Sequence, residues 1–256
     1  MQNPTDLVYK VGIGNEADNW LELRHSIRSA KRHFKDLNNI YIVGHKPNWL
    51  DNVIHVNLSD PYTHNKDANL INKLIRACLC PDLTQKFLNM SDDYFFLKDM
   101  TADDFARPTV NNKVLETMAT PGKKLTKWEL RLKRTVDVLG IKGLPVNCYE
   151  THGPQLLDKT LFPQILLDYD YGEGNGMCGN TLYFNTLKAD YKHFDASTFT
   201  RLEDKKLSIN EIDVLLDDKK QLFNYTINCY NHVMQQFLAQ KFPDRTIYEI
   251  SSSYNC

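Results

Sequence analysis

The sequence predicts an α/β sandwich with parallel strands, and three observations carry that prediction. Over the first hundred residues, short apolar runs and one amphipathic stretch follow each other in β-loop-α-β-β order. Each run ends in a loop at its C-terminal end, where open α/β sheets place their ligands. One run, Phe87-Leu88-Asn89-Met90-Ser91, ends in the adjacent carboxylates Asp92 and Asp93 before aromatics resume at Tyr94-Phe95-Phe96.

Taken in order, Asp6-Leu7-Val8-Tyr9-Lys10-Val11-Gly12 is a short strand entering the loop Gly12-Ile13-Gly14-Asn15. Residues 19–34 form a helix, because Leu23, Ile27, Ala30 and Phe34 share one face at helical spacing. Arg24, Arg28 and Lys31 form a second stripe on it. Buried strands follow at Asn39–Gly44 and Val53–Leu58, then a helix over 66–80 with Leu70, Leu74, Ile75 and Cys78 inward. Beyond residue 100 the pattern is less regular. Lys123–Arg134 reads as a basic helix, either a solvated face or an acceptor-binding surface. Leu144–Glu150 reads as a strand, followed by a Thr151-His152-Gly153-Pro154 turn and a helix carrying Leu156, Leu157 and Leu161. A Gly-rich stretch, Tyr171–Gly176, precedes an expected strand at Thr181–Phe184, and helices are expected to dominate the last fifty residues.

The chain has 256 residues, 25% of them charged, and a formal net charge of −1. That balance supplies no global attraction to nucleic acid or anionic membrane. No apolar run reaches transmembrane length and the N-terminus lacks signal-peptide features, so the chain reads as cytoplasmic, without transmembrane anchoring. The six cysteines contain no CxxC spacing and read as free thiols. No GxxxxGK[ST], GxSxG or HExxH occurs, which sets aside P-loop NTPases, α/β serine hydrolases and common zinc proteases.

Two adjacent carboxylates repel each other and resist burial, so placing them in an apolar run calls for a reason. A hard divalent cation, Mg²⁺ or Mn²⁺, is one reason, since such ions bridge carboxylates to substrate phosphates. A solvated turn is the other reading of the same residues. The Gly12 loop lets backbone approach a nucleoside, or is an ordinary loop. Arg24 and Arg28 offer forked donors to a diphosphate, or form a surface stripe. His152 is placed as a base or ligand, or is a structural loop histidine, with His193 and His232 as rivals.

Four ordered blocks then resemble one family. Asp6-Leu7-Val8-Tyr9, Glu22-Leu23-Arg24-His25-Ser26-Ile27-Arg28-Ser29, Ile40-Tyr41-Ile42-Val43 with Pro47-Asn48-Trp49-Leu50, and Ser91-Asp92-Asp93-Tyr94-Phe95-Phe96 resemble blocks of the Stealth family. That family includes bacterial capsule hexose-1-phosphate transferases and the lysosomal-enzyme N-acetylglucosamine-1-phosphotransferase. His152 with Pro154, Leu157 and Lys159 resembles a later block, and Phe242–Glu249 resembles an ending of short phage and bacterial relatives. The resemblance implies a GT-A-like, Rossmann-type α/β/α sandwich with a mixed central sheet and a helical C-terminal part. It implies a single domain over 1–256, with a nucleotide-sugar-binding half over 1–100 and an acceptor half over 101–256.

It further implies a nucleotide-sugar donor, a UDP-sugar in the first instance, and a divalent metal. Asp93 would be the metal ligand. Asp92 would act on the sugar or position ligands, and His152 would stand near the reacting centre. Val11, Gly12, Gly14, Asn19, Arg24 and Arg28 would serve the donor. The chain departs from the pattern at Tyr9-Lys10-Val11-Gly12, where the family usually carries Tyr-Thr-Trp-Val, at Ser91 for Asn, and in lacking the Arg of the later block and the final block. A phosphoryl centre calls for more cations than glycosyl transfer does, so the missing Arg favours a metal-dependent glycosyltransferase. Hexose-1-phosphate transfer of the Stealth type, glycosylation of a modified phage DNA base, and non-catalytic nucleotide-sugar binding are the alternatives. The acceptor is accordingly a polysaccharide, another glycan or a modified DNA base.

Overall fold

Alternation along residues 5–11 sets the layout of the molecule. In the computed structural model, which describes residues 4–13, 19–174, 176–204 and 206–250, strand β1 (Thr5–Val11) sends Leu7, Tyr9 and Val11 to one face and Val8 to the other. Helix α1 (Leu21–His33) covers the first face with Leu23, Ile27 and Ala30, and Phe34 follows it into the same core. Strands β2 (Leu37–Gly44) and β3 (Ile54–Val56) come next, then α2 (Lys66–Cys78), which covers the second face. Leu74, Ile75 and Cys78 point inward as expected, while Leu70 lines a cleft. β3 is not the buried strand the sequence suggests. It pairs on one side only, at the sheet edge, and leaves Ile54 37% exposed.

β4 (Lys86–Met90) and β5 (Phe95–Phe96) flank the two aspartates. β6 (Thr109–Val110), α3 (Lys113–Met118) and α4 (Lys127–Ile141) follow. Leu144–Glu150, expected as a strand, belongs to no sheet. A main-chain bond from Asn111 N to Cys148 O, at 3.0 Å, joins side chains in satisfying its backbone: Asn112 Oδ1 accepts from Cys148 N at 2.9 Å and Thr181 Oγ1 from Tyr149 N at 3.1 Å. The expected helix through Leu156 and Leu157 is strand β7 (Gln155–Asp158), and α5 (Leu161–Leu166) begins after it. Thr181–Phe184 lies in helix α6 (Gly179–Thr186), not in a strand. β8 (Lys192–His193), β9 (Phe199–Leu202), α7 (Ile209–Leu215), β10 (Leu222–Tyr225) and α8 (His232–Lys241) complete the described chain. The last fifty residues therefore hold a buried strand, β10, as well as helices.

The main sheet has the order β3-β2-β1-β4-β7. β7 alone runs antiparallel, so the sheet is mixed. Asp6 fastens its N-terminal edge: one buried carboxylate accepts from Asn38 Nδ2 (2.9 Å), Asn39 N (3.0 Å) and Thr84 N (2.8 Å). A second sheet, β5-β10-β9, packs against α7 and α8, with Phe95 stacked on Phe223 at 4.8 Å. β6 and β8 pair as a short ribbon. The described cysteines carry free thiols, as expected, and Cys256 lies outside the described residues. Among the described residues no helix is long and apolar enough to cross a membrane.

Candidate active site

β4 delivers its chain to the C-terminal edge of the sheet, where it reverses. Tyr94 N donates to Ser91 O at 3.3 Å, closing a turn that presents Asp92 and Asp93. Helix α1 holds that turn from beneath. Ser26 Oγ donates to Tyr94 O at 2.6 Å, and Phe96 N donates to Ser29 Oγ at 3.1 Å. Tyr9 Oη stands 3.1 Å from Ser26 Oγ and shares that junction. The serines of the second family-like block thus position the aspartates. Their signal in the sequence is two small polar residues, three apart, on the apolar face of a helix.

Two cavities meet over this edge. One, of about 470 Å³, is lined by Gly12, Trp20, Asp60, Lys73 and Asp92. The other, of about 520 Å³, is lined by Asp93, Glu150, His152, Asn180 and Arg201. Lys10, Lys66, Leu70 and Ser91 border both, so the two form one cleft. Its floor includes Lys10, whose Nζ donates to Asn89 Oδ1. Asn89 Nδ2 faces Asn180 Oδ1 at 3.4 Å, and Thr181 N donates to Glu150 Oε1 at 3.0 Å. Gly44 permits the neighbouring close approach. Its φ is +109°, and a Cβ there would lie 2.1 Å from Val11 O and 2.8 Å from Lys73 Cε.

Burial, and then the charge of Asp92, push the Asp93 carboxyl up to about 6. Its Oδ1 is sequestered without a hydrogen-bond partner. Burial raises the Glu150 carboxyl against the opposing hydrogen bond from Thr181. Burial, and then the Arg201 guanidinium, hold the His152 imidazole down at about 4, so the ring is neutral near pH 7. His152 also has φ +53°, a left-handed conformation that costs a non-glycine residue about 1 kcal/mol. Its ring lies 6.3 Å from that of Trp128.

Among the described residues no three His, Cys, Asp or Glu gather as a metal cluster. An Mg²⁺-like ion needs only one or two carboxylates, completed by water and substrate phosphate. The Asp92–Asp93 pair and the unpartnered Asp93 Oδ1 fit that requirement.

Of the residues proposed from sequence, Gly12, Asp92, Asp93 and His152 line the cleft. Gly14 and Asn15 lie outside the described residues, as does Asn175 of the Gly-rich stretch. The Val11 side chain is buried under α1, and Asn19 stands beside the cleft-lining Trp20, with its carbonyl accepting from Trp49 Nε1 at 2.9 Å. Arg24 and Arg28 are spent elsewhere. Arg28 grips Glu249 through Nε and Nη2, each at 2.8 Å, and donates Nη1 to Phe242 O at 2.9 Å. Arg24 lies over the Trp49 ring at 4.5 Å. His193 sits in a separate cavity with Lys192 and Phe194, and His232 opens α8. Lys10, Glu150 and Arg201 are cleft residues that sequence reasoning passed over. The lysine at the end of an otherwise apolar strand was the available signal for the first of them.

No protein-family model matches the chain. A galactosyltransferase, LgtC, solved with donor and acceptor sugar analogues, superimposes with a TM-score of 0.52 at 9% identity, covering 95% of this chain and 98% of that one. The fold is GT-A-like. GlyE, a glycosyltransferase of Streptococcus pneumoniae, gives a TM-score of 0.50 at 11% identity, covering 94% of this chain and 60% of that one. In sequence, the chain is similar to the N-acetylglucosamine-1-phosphotransferase alpha/beta subunits. The mouse protein is 35% identical over 111 residues and the human protein 38% identical over 113. The matched segment is 39% of this chain and only 9% of those relatives. Both kinds of similarity agree with the Stealth and GT-A-like resemblance of the sequence blocks.

Proposed function

We propose that this chain is a metal-dependent transferase that moves a sugar from a nucleotide-sugar donor to an acceptor hydroxyl. The observation that carries this reading is the Asp92–Asp93 turn at the end of a central strand, where Asp93 lines a polar cleft and its buried Oδ1 has no hydrogen-bond partner. Around that cleft Lys10, Lys66, Lys73, Arg131 and Arg201 are matched by Asp60, Asp67, Asp92, Asp93 and Glu150. Side chains in that balance do not neutralise a diphosphate, and a divalent cation would supply the missing charge. Asp93, aided by Asp92, would hold Mn²⁺ or Mg²⁺, which would stabilise charge on the departing nucleotide.

The chain's own residues supply the rest. Gly12 puts no side chain between its own backbone and the cleft, so a nucleoside can lie against that backbone. Neutral His152 accepts a hydrogen bond from an acceptor hydroxyl on the other side of the reacting centre. A further cavity of about 630 Å³ opens beyond His152, between Trp128 and Phe199, and would receive the acceptor. Residues 1–100 would thus hold the donor and 101–256 the acceptor.

A second reading is sugar-1-phosphate transfer. The sequence similarity to the phosphotransferase subunits favours it, and so does Arg201, a late-sequence cation beside Asp93 and His152. The test is product analysis after incubation of a nucleotide-sugar panel with Mn²⁺ and glycan acceptors. Nucleoside diphosphate supports glycosyl transfer, and nucleoside monophosphate supports the second reading. Product formation unchanged in Asp93→Ala would defeat both.

A further inference from the structure

Among the described residues, Lys10 is the cation at the floor of the cleft that no carboxylate holds. Lys73 is buried and tied to Asp60 Oδ1 at 2.6 Å, and Arg131 is paired with Asp67. Lys66 and Arg201 are exposed at the rim. Lys10 is half-buried at the floor, bordering both halves of the cleft. Among the described residues its ammonium bonds only a neutral amide, Asn89 Oδ1, and it makes no ion pair. An ammonium carries three N–H donors, so two remain for a ligand.

The strand geometry makes this placement firm. Tyr9 pairs with Met90 across β1 and β4, so Lys10 lies level with Ser91, the residue before the two aspartates. Tyr9 and Val11, on either side of it, point under α1, which sends Lys10 to the opposite, cleft face. Asn89, which orients the ammonium, is itself met by Asn180, and Asn180 by Glu150.

We propose that Lys10 is a built-in cation that grips a phosphate oxygen of the bound nucleotide, so that the cleft holds a diphosphate measurably without any divalent ion. The inference rests on the nucleotide-donor reading for its ligand, and on the geometry of Lys10 for its site. Burial holds the ammonium down at about 8 despite Asp92, Asp93 and Glu150 nearby, which is the state of a cation short of direct partners.

The test is calorimetric titration of inorganic pyrophosphate and of uridine diphosphate, each in EDTA and in Mn²⁺, against wild type, Lys10→Met and Lys10→Arg. Wild type is expected to bind both probes in EDTA. Lys10→Met should weaken binding at least tenfold in EDTA and by a smaller factor in saturating Mn²⁺. Lys10→Arg should stay within about threefold of wild type. Thermal midpoints establish that each variant is folded. Uridine diphosphate binding that needs Mn²⁺ and is the same in wild type and Lys10→Met would overturn the proposal and leave the donor reading standing. Lys10-dependent binding of pyrophosphate alone would uphold the anion site and remove the donor reading. No binding of either probe under any condition would overturn both.

Discussion

Asp93→Asn offers the sharpest test of the carboxylate turn, because the structure gives both its sign and its size. Burial and Asp92 raise the Asp93 carboxyl from 3.8 to about 6. The folded protein therefore holds this proton more tightly than the unfolded chain does. Stability contributed by the neutral form is present below about pH 4 and is lost as pH rises to about 6. A shift of roughly two units at about 1.4 kcal/mol each gives a ceiling of about 3 kcal/mol. Asparagine keeps the shape and removes the charge. Asp93→Asn should thus be more stable than wild type at pH 7.5 by up to about 3 kcal/mol, with the gain vanishing near pH 4. Mn²⁺ should stabilise wild type more than the variant, which keeps only Asp92 to attract the ion. Urea unfolding from pH 4 to 8, with and without Mn²⁺, measures all of this. Equal stability of the two proteins at pH 7.5, together with identical pH slopes, would refute the reasoning.

Three other outcomes are expected. Ser26→Ala removes the donor to Tyr94 O and strands the Tyr9 hydroxyl, so it should cost about 1–3 kcal/mol in denaturant unfolding and also weaken nucleotide binding. Arg28→Ala breaks a nearly buried bidentate pair with Glu249 and should cost about 3 kcal/mol of stability, while uridine diphosphate affinity measured by calorimetry stays within about twofold. Because the Lys10 ammonium is held down at about 8, uridine diphosphate affinity in EDTA should fall as pH rises through 8, and Lys10→Arg should abolish that fall.

The sheet and its rim were legible because β1 and β2 are short apolar runs buried on both faces, while α1 and α2 carry a helical period that matches their burial. The aspartate turn was legible because charge interrupts an apolar strand. What failed did so for physical reasons. Leu156 and Leu157 are adjacent, which argues against a one-sided strand, yet layers cover both faces of this sheet and both residues find cover. Thr181–Phe184 is rich in strand-favouring residues, but α6 is surrounded on most sides and shows no amphipathic period. Leu144–Glu150 is not the expected strand, because Asn112, Thr181 and Asn185 side chains take backbone groups that a neighbouring strand would have paired. Arg24 and Arg28 were legible as a pair. Their partner, Glu249, lies more than two hundred residues away, and no local pattern announces it. Arg201 was invisible for the same reason, since strand pairing beside Asn224 brings it to the cleft.

The single antiparallel strand has a consequence for how this molecule can change. β4 departs from the rim at Asp93, and β7 enters the sheet from that same rim just after His152. A parallel β7 would begin at the far edge, roughly 15 Å away at about 3.3 Å per residue. The intervening stretch of chain is therefore a closed excursion, anchored at one end by Asp93 and at the other by His152. Its outermost part, α3, where every residue is at least partly exposed, can change in length while β4 and β7 keep Asp93 and His152 in place.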